Sequence, residues 1–546
     1  MNAASPAGFA PAQVLWLDAE AEFLGAHVRF LAKHGHHVER CTTLSATMDR
    51  LAGCTWDIVL LDEQTLGKEG ASTLHRVRSA CPDRVSLLLV TRADEERAAA
   101  SERGREVDGF VTKPVNPVQL LAACRAAILA KADRSDAATA AYVRARQEIR
   151  SALLASPSPA NWEKIHFQIS KWDVALDPAP DSALHDTHAR HRRELGRAFL
   201  SYVQDHYPSW VGRQGGNPDL HTQTVRRKLL PVLRARAPAA LLVLSGLRFD
   251  QWIVLRERIE TMFKVENSAA WALLPTEADF CRAALFSGQL PREVSLDQPQ
   301  LWARLESARA AHAAGSHDGG AEAAACLREL LRIQLRKLGA SVEDVRFLYA
   351  DDVASCRALP AALAEQAGSP LVAVLVEFLD LLRPDAGADI APPDPAPSEA
   401  ESRAQALAVF RDCGLEDLLR GLAAQGRTVV LTADHGSVRV DAPAEVFCQE
   451  VQSEHPRVKI GPNISCDERQ ALFIEAPGRY GLPGEEGAVA YAIAKDRHYF
   501  VYPNKFQYFV TPWRARMVSG GLSPEEVIVP LATLTPLKPS KPKAAG

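Results

Sequence analysis

The sequence predicts two α/β domains, each built on a mostly parallel sheet, joined by a helical connector. Three observations carry this. Between residues 12 and 131 short apolar runs alternate with amphipathic stretches, the beat of a sheet wound by helices on both faces. Between 132 and 237 helical stretches, the first from Ala132 to Ala155 dominated by Ala, Arg, Glu and Leu, are broken at Pro157, Pro159 and Pro178-Ala179-Pro180. From 238 to 536 strand-length apolar runs return, again separated by helical stretches. A chain of 546 residues is too long for one core. Residues 537–546, polar and proline-containing, read as a disordered tail.

Composition narrows the class. The chain is 47% hydrophobic and 24% charged, as in ordinary globular proteins, and its net charge of −4 points to neither nucleic acid nor an anionic membrane. Ten cysteines are scattered without a C-x-x-C pair, the usage of reduced cytoplasmic thiols. The opening MNAASPAGFAPAQ lacks the basic and apolar regions of a signal peptide, and runs such as Ala239 to Leu244 are far short of a membrane span. A soluble cytoplasmic protein without a membrane partner is expected.

In the first segment, Val14 to Leu17 runs to Asp18, Ile58 to Leu61 to Asp62, Val85 to Val90 to Thr91, and Phe110 to Thr112 to Lys113-Pro114. Helices are expected over Glu20 to Lys33, Leu44 to Ala52, Gly70 to Ser79, Asp94 to Arg103 and Pro117 to Ala130. Ligands of such a sheet sit at the carboxyl ends of its strands. Two carboxylates, a hydroxyl and a lysine would meet there, a set able to hold Mg²⁺, accept a phosphoryl group and neutralise its oxygens.

These residues resemble the doubly wound, flavodoxin-like receiver domain of two-component response regulators, over the whole segment 12–131. The resemblance implies that Asp62 is the phospho-acceptor, Thr91 the switch hydroxyl, Lys113 the conserved-type lysine of a T-K-P triplet with a cis Lys-Pro bond, and Asp18 with Asp62 the Mg²⁺ ligands. Where the family has two adjacent acids after its first strand, this chain has Asp18-Ala19; the metal site is weakened, with Glu20 placed to help through water. Phe110 takes the place of the family's aromatic switch residue, and simple packing on the last strand calls for the same residue type.

The connector, 132–237, continues the receiver's last helix. Trp162, Ile165, Ile169 and Trp172 recur at helical spacing and read as bundle core. His185, His188 and His191 recur every three residues; a metal-binding face and a solvated polar face both fit, the second more simply. Arg226-Arg227-Lys228 is short and lacks interleaved aromatics, so it reads as a charged helix face. The expected task of this segment is mechanical.

The last domain centres on Val429 to Val438, VVLTADHGSV. A buried strand ending in a tight turn would present Asp434 beside His435, a ligand pair suited to zinc or manganese, with Gly436 allowing close approach; a surface turn is the alternative. Other strand-like runs are Ala239 to Leu244, Trp271 to Thr276, Val372 to Val376, Ala471 to Ile474 and Tyr499 to Tyr502. Arg383 to Arg403, rich in Pro, Ala and acid, reads as a flexible loop.

LRFDQW at Leu247 to Trp252, LPT at Leu274 to Thr276, ADHGSV at Ala433 to Val438 and GGLSPEEVIVP at Gly520 to Pro530 resemble the PglZ domain, a branch of the alkaline phosphatase superfamily. With a receiver and connector before it, nearly the whole chain resembles a PorX-type response regulator. The resemblance implies two zinc ions and a threonine or serine nucleophile. Carried across by position, Ser245 stands at one carboxylate ligand and Ala278 at the nucleophile, with Thr276 keeping a hydroxyl in the alternative register. Asp380 matches a ligand whose partner histidine is Pro384; Asp434 and His435 match; Ser519 stands at the last histidine. Asp380 is thus left alone at one zinc position and Asp434 with His435 at the other, a vestigial set in which neither site reaches the about three protein ligands of a catalytic zinc. Asp250, Glu277, Asp279, Asp351, Asp352 and Glu377 are nearby replacements or, alternatively, helix caps and turns. Arg248 is left to hold a phosphate-bearing ligand.

The expectation is a response regulator, served by a sensor histidine kinase, whose PglZ domain has lost phosphoesterase activity and acts as a docking or ligand-sensing module for a protein partner. The resemblance implies homodimerisation on phosphorylation. The alternative is an active zinc phosphodiesterase on nucleotide-type esters with a rearranged site. No helix-turn-helix signature supports DNA binding.

Overall fold

Four apolar runs of the sequence and the polar segment HVERC form the first sheet: β1 (Gln13–Leu17), β2 (His37–Cys41), β3 (Ile58–Asp62), β4 (Ser86–Arg92) and β5 (Gly109–Lys113). All pair in parallel in the order β2-β1-β3-β4-β5. The winding direction reverses between β1 and β3, which opens a crevice at their carboxyl ends. Alternate residues feed opposite layers. Leu15, Leu17, Val59, Leu61, Leu87 and Leu89 pack in one core, whereas Val14, Trp16, Ile58, Leu60, Leu88 and Val90 pack in the other. Helices cover both faces, which is why β1, β3 and β4 are nearly continuous apolar runs.

The computed structural model describes residues 12–537 except 54–55, 67–69, 82–84, 93–106, 156, 179–182, 213–216, 314–316, 341, 343, 383–397, 449–454 and 504–512. The expected helix Asp94 to Arg103, Pro384 and most of the tail lie outside the described residues. Pro117–Ala155 is one helix of 39 residues. Among the described residues no helix is long and apolar enough to cross a membrane.

The chain divides into one unit of Met1–Glu148 with Ala175–Thr187 and a second of Ile149–Val174 with His188–Gly546. Most of the connector thus belongs to the second unit. Trp162, Ile165 and Ile169 on the helix Pro159–Ala175 share its core with Phe199, Tyr207 and Trp210 on the helix Ala183–Val211. Trp162 packs edge-on against Phe199 at 5.2 Å, and Trp210 against Trp271 at 5.2 Å. Burying each such side chain contributes roughly 1.5–3 kcal/mol.

The second unit is built on β6 (Ala239–Leu244), β7 (Phe263–Trp271), β8 (Val345–Ala350), β9 (Leu371–Val376) and β10 (Thr428–Thr432). Next come β11 (Val438–Arg439), β12 (Ala442–Phe447), β13 (Val458–Gly461), β14 (Ser465–Cys466), β15 (Ala471–Ile474), β16 (Ala490–Ala494), β17 (His498–Val501) and β18 (Met517–Val518), in three small sheets. The last strand, β19 (Ile528–Pro536), returns to the main sheet, whose order is β7-β19-β10-β6-β9-β8. There β10, β6, β9 and β8 run parallel, while β19 lies antiparallel between β10 and β7. Two expectations shift. The strand before LPT is Phe263–Trp271, so the chain has left the sheet by Thr276. The loop expected to reach Arg403 yields to the helix Glu399–Asp412, whose N-cap Ser398 accepts from Glu401 N in a capping box.

Candidate functional site

The ends of β1, β3, β4 and β5 bring Asp18, Asp62, Thr91 and Lys113 to one rim. Lys113 Nζ lies 2.6 Å from Asp62 Oδ1 and 3.8 Å from Asp18 Oδ2. Asp62 Oδ2 accepts the Thr65 hydroxyl at 2.7 Å and the Thr65 N–H at 3.0 Å. The Thr91 hydroxyl donates to Glu63. The Lys113–Pro114 bond is cis. Burial, reinforced by Asp62, pushes the Asp18 carboxyl above its usual range, against the Glu20 N–H and Lys113. Two buried carboxylates beside one ammonium suit a hard cation that keeps several waters, so this donor set fits Mg²⁺ with fewer acids than usual. Ala19 adds none, and Glu20 is exposed. Phe110 is half-buried on β5 and packs on the Leu-rich core.

The second rim lies where β10 ends. Asp434 and His435 are 0% and 2% exposed, so the turn is interior rather than surface. Asp434 Oδ2 accepts Arg282 Nε at 2.8 Å and the Ser245 hydroxyl at 3.0 Å; Oδ1 accepts the His435 N–H at 2.8 Å and the Gly246 N–H at 3.4 Å. Arg282 Nη2 donates to Ser245 Oγ at 2.9 Å and to Glu377 Oε2 at 2.5 Å. Glu377 Oε1 accepts Tyr349 OH at 3.1 Å. A guanidinium thus stands between the residues that the PglZ resemblance assigns to a zinc ion. It reaches there because Arg282 follows Ala278 by four positions, one helical turn, on the helix Ala278–Ser287.

The electrostatics follow. Burial disfavours every charge in this cluster. Against that cost, Glu377 and Asp434 raise Arg282 well above its ordinary value, and His435 with Arg282 holds Asp434 down to about 2. For Glu377 burial prevails over Arg282 and the carboxyl is raised, with Asp380 adding to the effect. The donor set does not fit zinc. Both Asp434 oxygens already accept two hydrogen bonds, and a dication would face a buried guanidinium. Among the described residues no group of three or more His, Cys, Asp or Glu is arranged to hold a metal.

The remaining expected residues are placed as follows. His435 Nδ1 donates to Gly436 O at 2.8 Å, and its buried Nε2 lies 3.6 Å from Asp434 Oδ2 without a hydrogen-bond partner. Asp380 is half-buried on the helix Phe378–Leu381. Thr276 is fully buried; its hydroxyl donates to Gly521 O at 2.7 Å and accepts the Gly520 N–H at 3.1 Å. That hydroxyl latches the Gly520-Gly521 turn. Ser519 is buried, and Asp352 caps the helix Val353–Ala364 by accepting from Ser355 N at 2.7 Å. Gly436 is needed for a close approach by backbone: a Cβ there would sit 1.8 Å from Glu525 O.

Arg248 is also committed. It donates to Asp250 through Nε at 2.9 Å and Nη2 at 2.5 Å, and pairs with Glu399 Oε2 at 2.6 Å, so it is not left for a phosphate. Arg403 adds a bond to Asp250 Oδ2 at 2.7 Å. The connector joins this buried layer. Arg192 donates to Glu525 Oε1 through Nε at 2.9 Å and Nη2 at 2.8 Å, and to Asp173 Oδ1 at 3.3 Å, which also takes His188 Nε2 at 2.9 Å. Despite burial, Arg192 holds Glu525 down to about 2. His188 and His191 are buried and His185 is half-buried, so the histidine run is not a solvated face, and His188 is held by Asp173. Arg226 and Arg227 are exposed, and Arg227 pairs with Asp219.

Sequence reasoning missed Arg282, Thr65 and His221. A lone arginine inside the apolar helix ADFCRAALFS was the available signal for the first. His221 is fully buried; burial lowers it to about 4, with Asp434 opposing.

Two family models match parts of the chain. Residues 398–534 match the BREX system PglZ alkaline phosphatase-like domain, and residues 134–211 match the PorX response regulator linker domain. No curated protein matches the chain. Among solved structures it is similar to the signal receiver domain of an HD domain-containing protein from Pseudomonas fluorescens Pf-5, at 20% identity over 25% of this chain and 98% of that one, TM-score 0.21. It is likewise similar to a CheY-like response regulator receiver domain protein from Methanospirillum hungatei JF-1, at 20% identity over 23% of this chain and 99% of that one, TM-score 0.21. A third is the chemotaxis response regulator CheY4 of Vibrio cholerae, at 19% identity over 22% and 99%, TM-score 0.20.

Proposed function

From the order that these matches and the first sheet define, a receiver-type domain, a PorX linker and a PglZ domain as in a PorX-type response regulator, we propose a two-component regulator with a silenced PglZ effector. A sensor histidine kinase in the cytoplasm phosphorylates Asp62, with Mg²⁺ held beside it at Asp18, Lys113 neutralising the added charge and Thr91 reporting it. The free thiols of all the described cysteines support a reducing compartment. The effector no longer hydrolyses phosphoesters and serves as a docking or ligand-sensing module, with dimerisation as the output of phosphorylation.

One observation carries the loss of hydrolysis. Arg282 lies between Asp434, Ser245 and Glu377, and supplies internally the positive charge that zinc supplies in a working site. The test is bound zinc and turnover of a chromogenic phosphodiester by wild type and His435→Ala. The expected outcome is no zinc at stoichiometry and no turnover in either. Robust wild-type turnover lost in His435→Ala would refute this reading in favour of an active phosphodiesterase.

A further inference from the structure

We infer that Thr65 is a positioning residue for phosphoryl transfer to Asp62, an inference that rests on the receiver reading above. A carboxylate offers about four acceptor sites, two on each oxygen. Oδ2 of Asp62 uses both of its sites on Thr65, the hydroxyl at 2.7 Å and the N–H at 3.0 Å. Oδ1 faces Lys113 Nζ at 2.6 Å and keeps the remaining site. Oδ1 is therefore the attacking oxygen, already beside the ammonium that neutralises the incoming group.

The hydroxyl is itself held. Thr65 Oγ1 accepts the Ala19 N–H at 2.9 Å, so its proton points to Asp62. The chain Ala19 N–H, Thr65 O–H, Asp62 Oδ2 ties the loop after β1 to the phospho-acceptor, at the very position where an acidic side chain is missing. Thr91 does not share this task, since its hydroxyl donates to Glu63. In the transfer, an O–P bond forms at Oδ1 and the donor's P–N bond (phosphohistidine) or P–O bond (acyl phosphate) breaks. Its electron pair leaves with the imidazole or carboxylate, and Oδ2 becomes the acyl carbonyl oxygen, still bonded to Thr65.

The main-chain bond survives Thr65→Val and Thr65→Ser, so the hydroxyl is separable. The full-length chain is incubated with acetyl phosphate and Mg²⁺, and phosphorylation is followed by intact mass for wild type, Thr65→Val, Thr65→Ser and Asp62→Asn, with melting temperatures measured in parallel. Without the hydroxyl the carboxylate is no longer held in line for attack, and labelling of Thr65→Val is slowed about tenfold. Thr65→Ser restores the rate, and Asp62→Asn is unlabelled. Wild-type labelling by Thr65→Val, or equal slowing in Thr65→Ser, overturns the inference. Absence of labelling in wild type refutes the phospho-acceptor reading itself, and Thr65's role with it.

Discussion

Replacing Arg282 by methionine keeps the volume of the side chain and removes its charge. The guanidinium makes hydrogen bonds to Asp434, Ser245 and Glu377, all buried. Removing one member of a buried ion pair costs about 3–5 kcal/mol, a large share of a domain's 5–15 kcal/mol stability. The loss depends on pH with a definite sign. In wild type Asp434 is held down to about 2, so its contribution is full above its unfolded value and is lost as pH falls toward 2. In Arg282→Met the lowering that the guanidinium exerts on Asp434 and Glu377 is gone, and both carboxyls move up from their wild-type values. Folding then favours their protonated forms, and the destabilisation is greatest at pH 7 and shrinks on acidification below about 6. Urea unfolding followed by tryptophan fluorescence across pH 4 to 8 measures this. A variant as stable as wild type at pH 7, or a deficit that grows on acidification, would refute the claim that the guanidinium neutralises this site.

Other outcomes follow from the same geometry. Combining Ser245→Asp with Arg282→Ala returns a carboxylate beside Asp434 and His435 and removes the competing cation, so this double variant should bind zinc by calorimetry where wild type does not. Gly436→Ala places a methyl at 1.8 Å from Glu525 O and should destabilise the second unit by about 1–3 kcal/mol or more, read as a lower melting temperature. Arg192→Met releases Glu525, held near 2, so stability at neutral pH falls and the loss of stability between about pH 4.5 and 2 becomes shallower in acid unfolding.

Much of the fold was legible because it is local. Apolar runs located four of the five strands of the first sheet and three of the six of the second, and the polar ends of the first set named Asp18, Asp62, Thr91 and Lys113 before any contact was known. The capping box at Ser398-Glu401 was equally local, but acid and proline before it hid the helix behind a loop-like composition. The antiparallel insertion of β19 had no such signature, since partner choice in a sheet is made by chain segments far apart.

The opposite holds for the chemistry of the second rim. The sequence alone put Asp434 and His435 at a strand end and showed that four expected ligand or nucleophile positions carry Ser245, Ala278, Pro384 and Ser519. Only the tertiary structure decided what stands in their place. Arg282 is 152 residues from Asp434 in the chain, and nothing in local periodicity couples them. Nor could sequence tell that Arg248 is bound by Asp250 and Glu399, or that Thr276 is a latch for the Gly520 turn. Which charge neutralises which is set by burial and distance, and those exist only once the chain has folded.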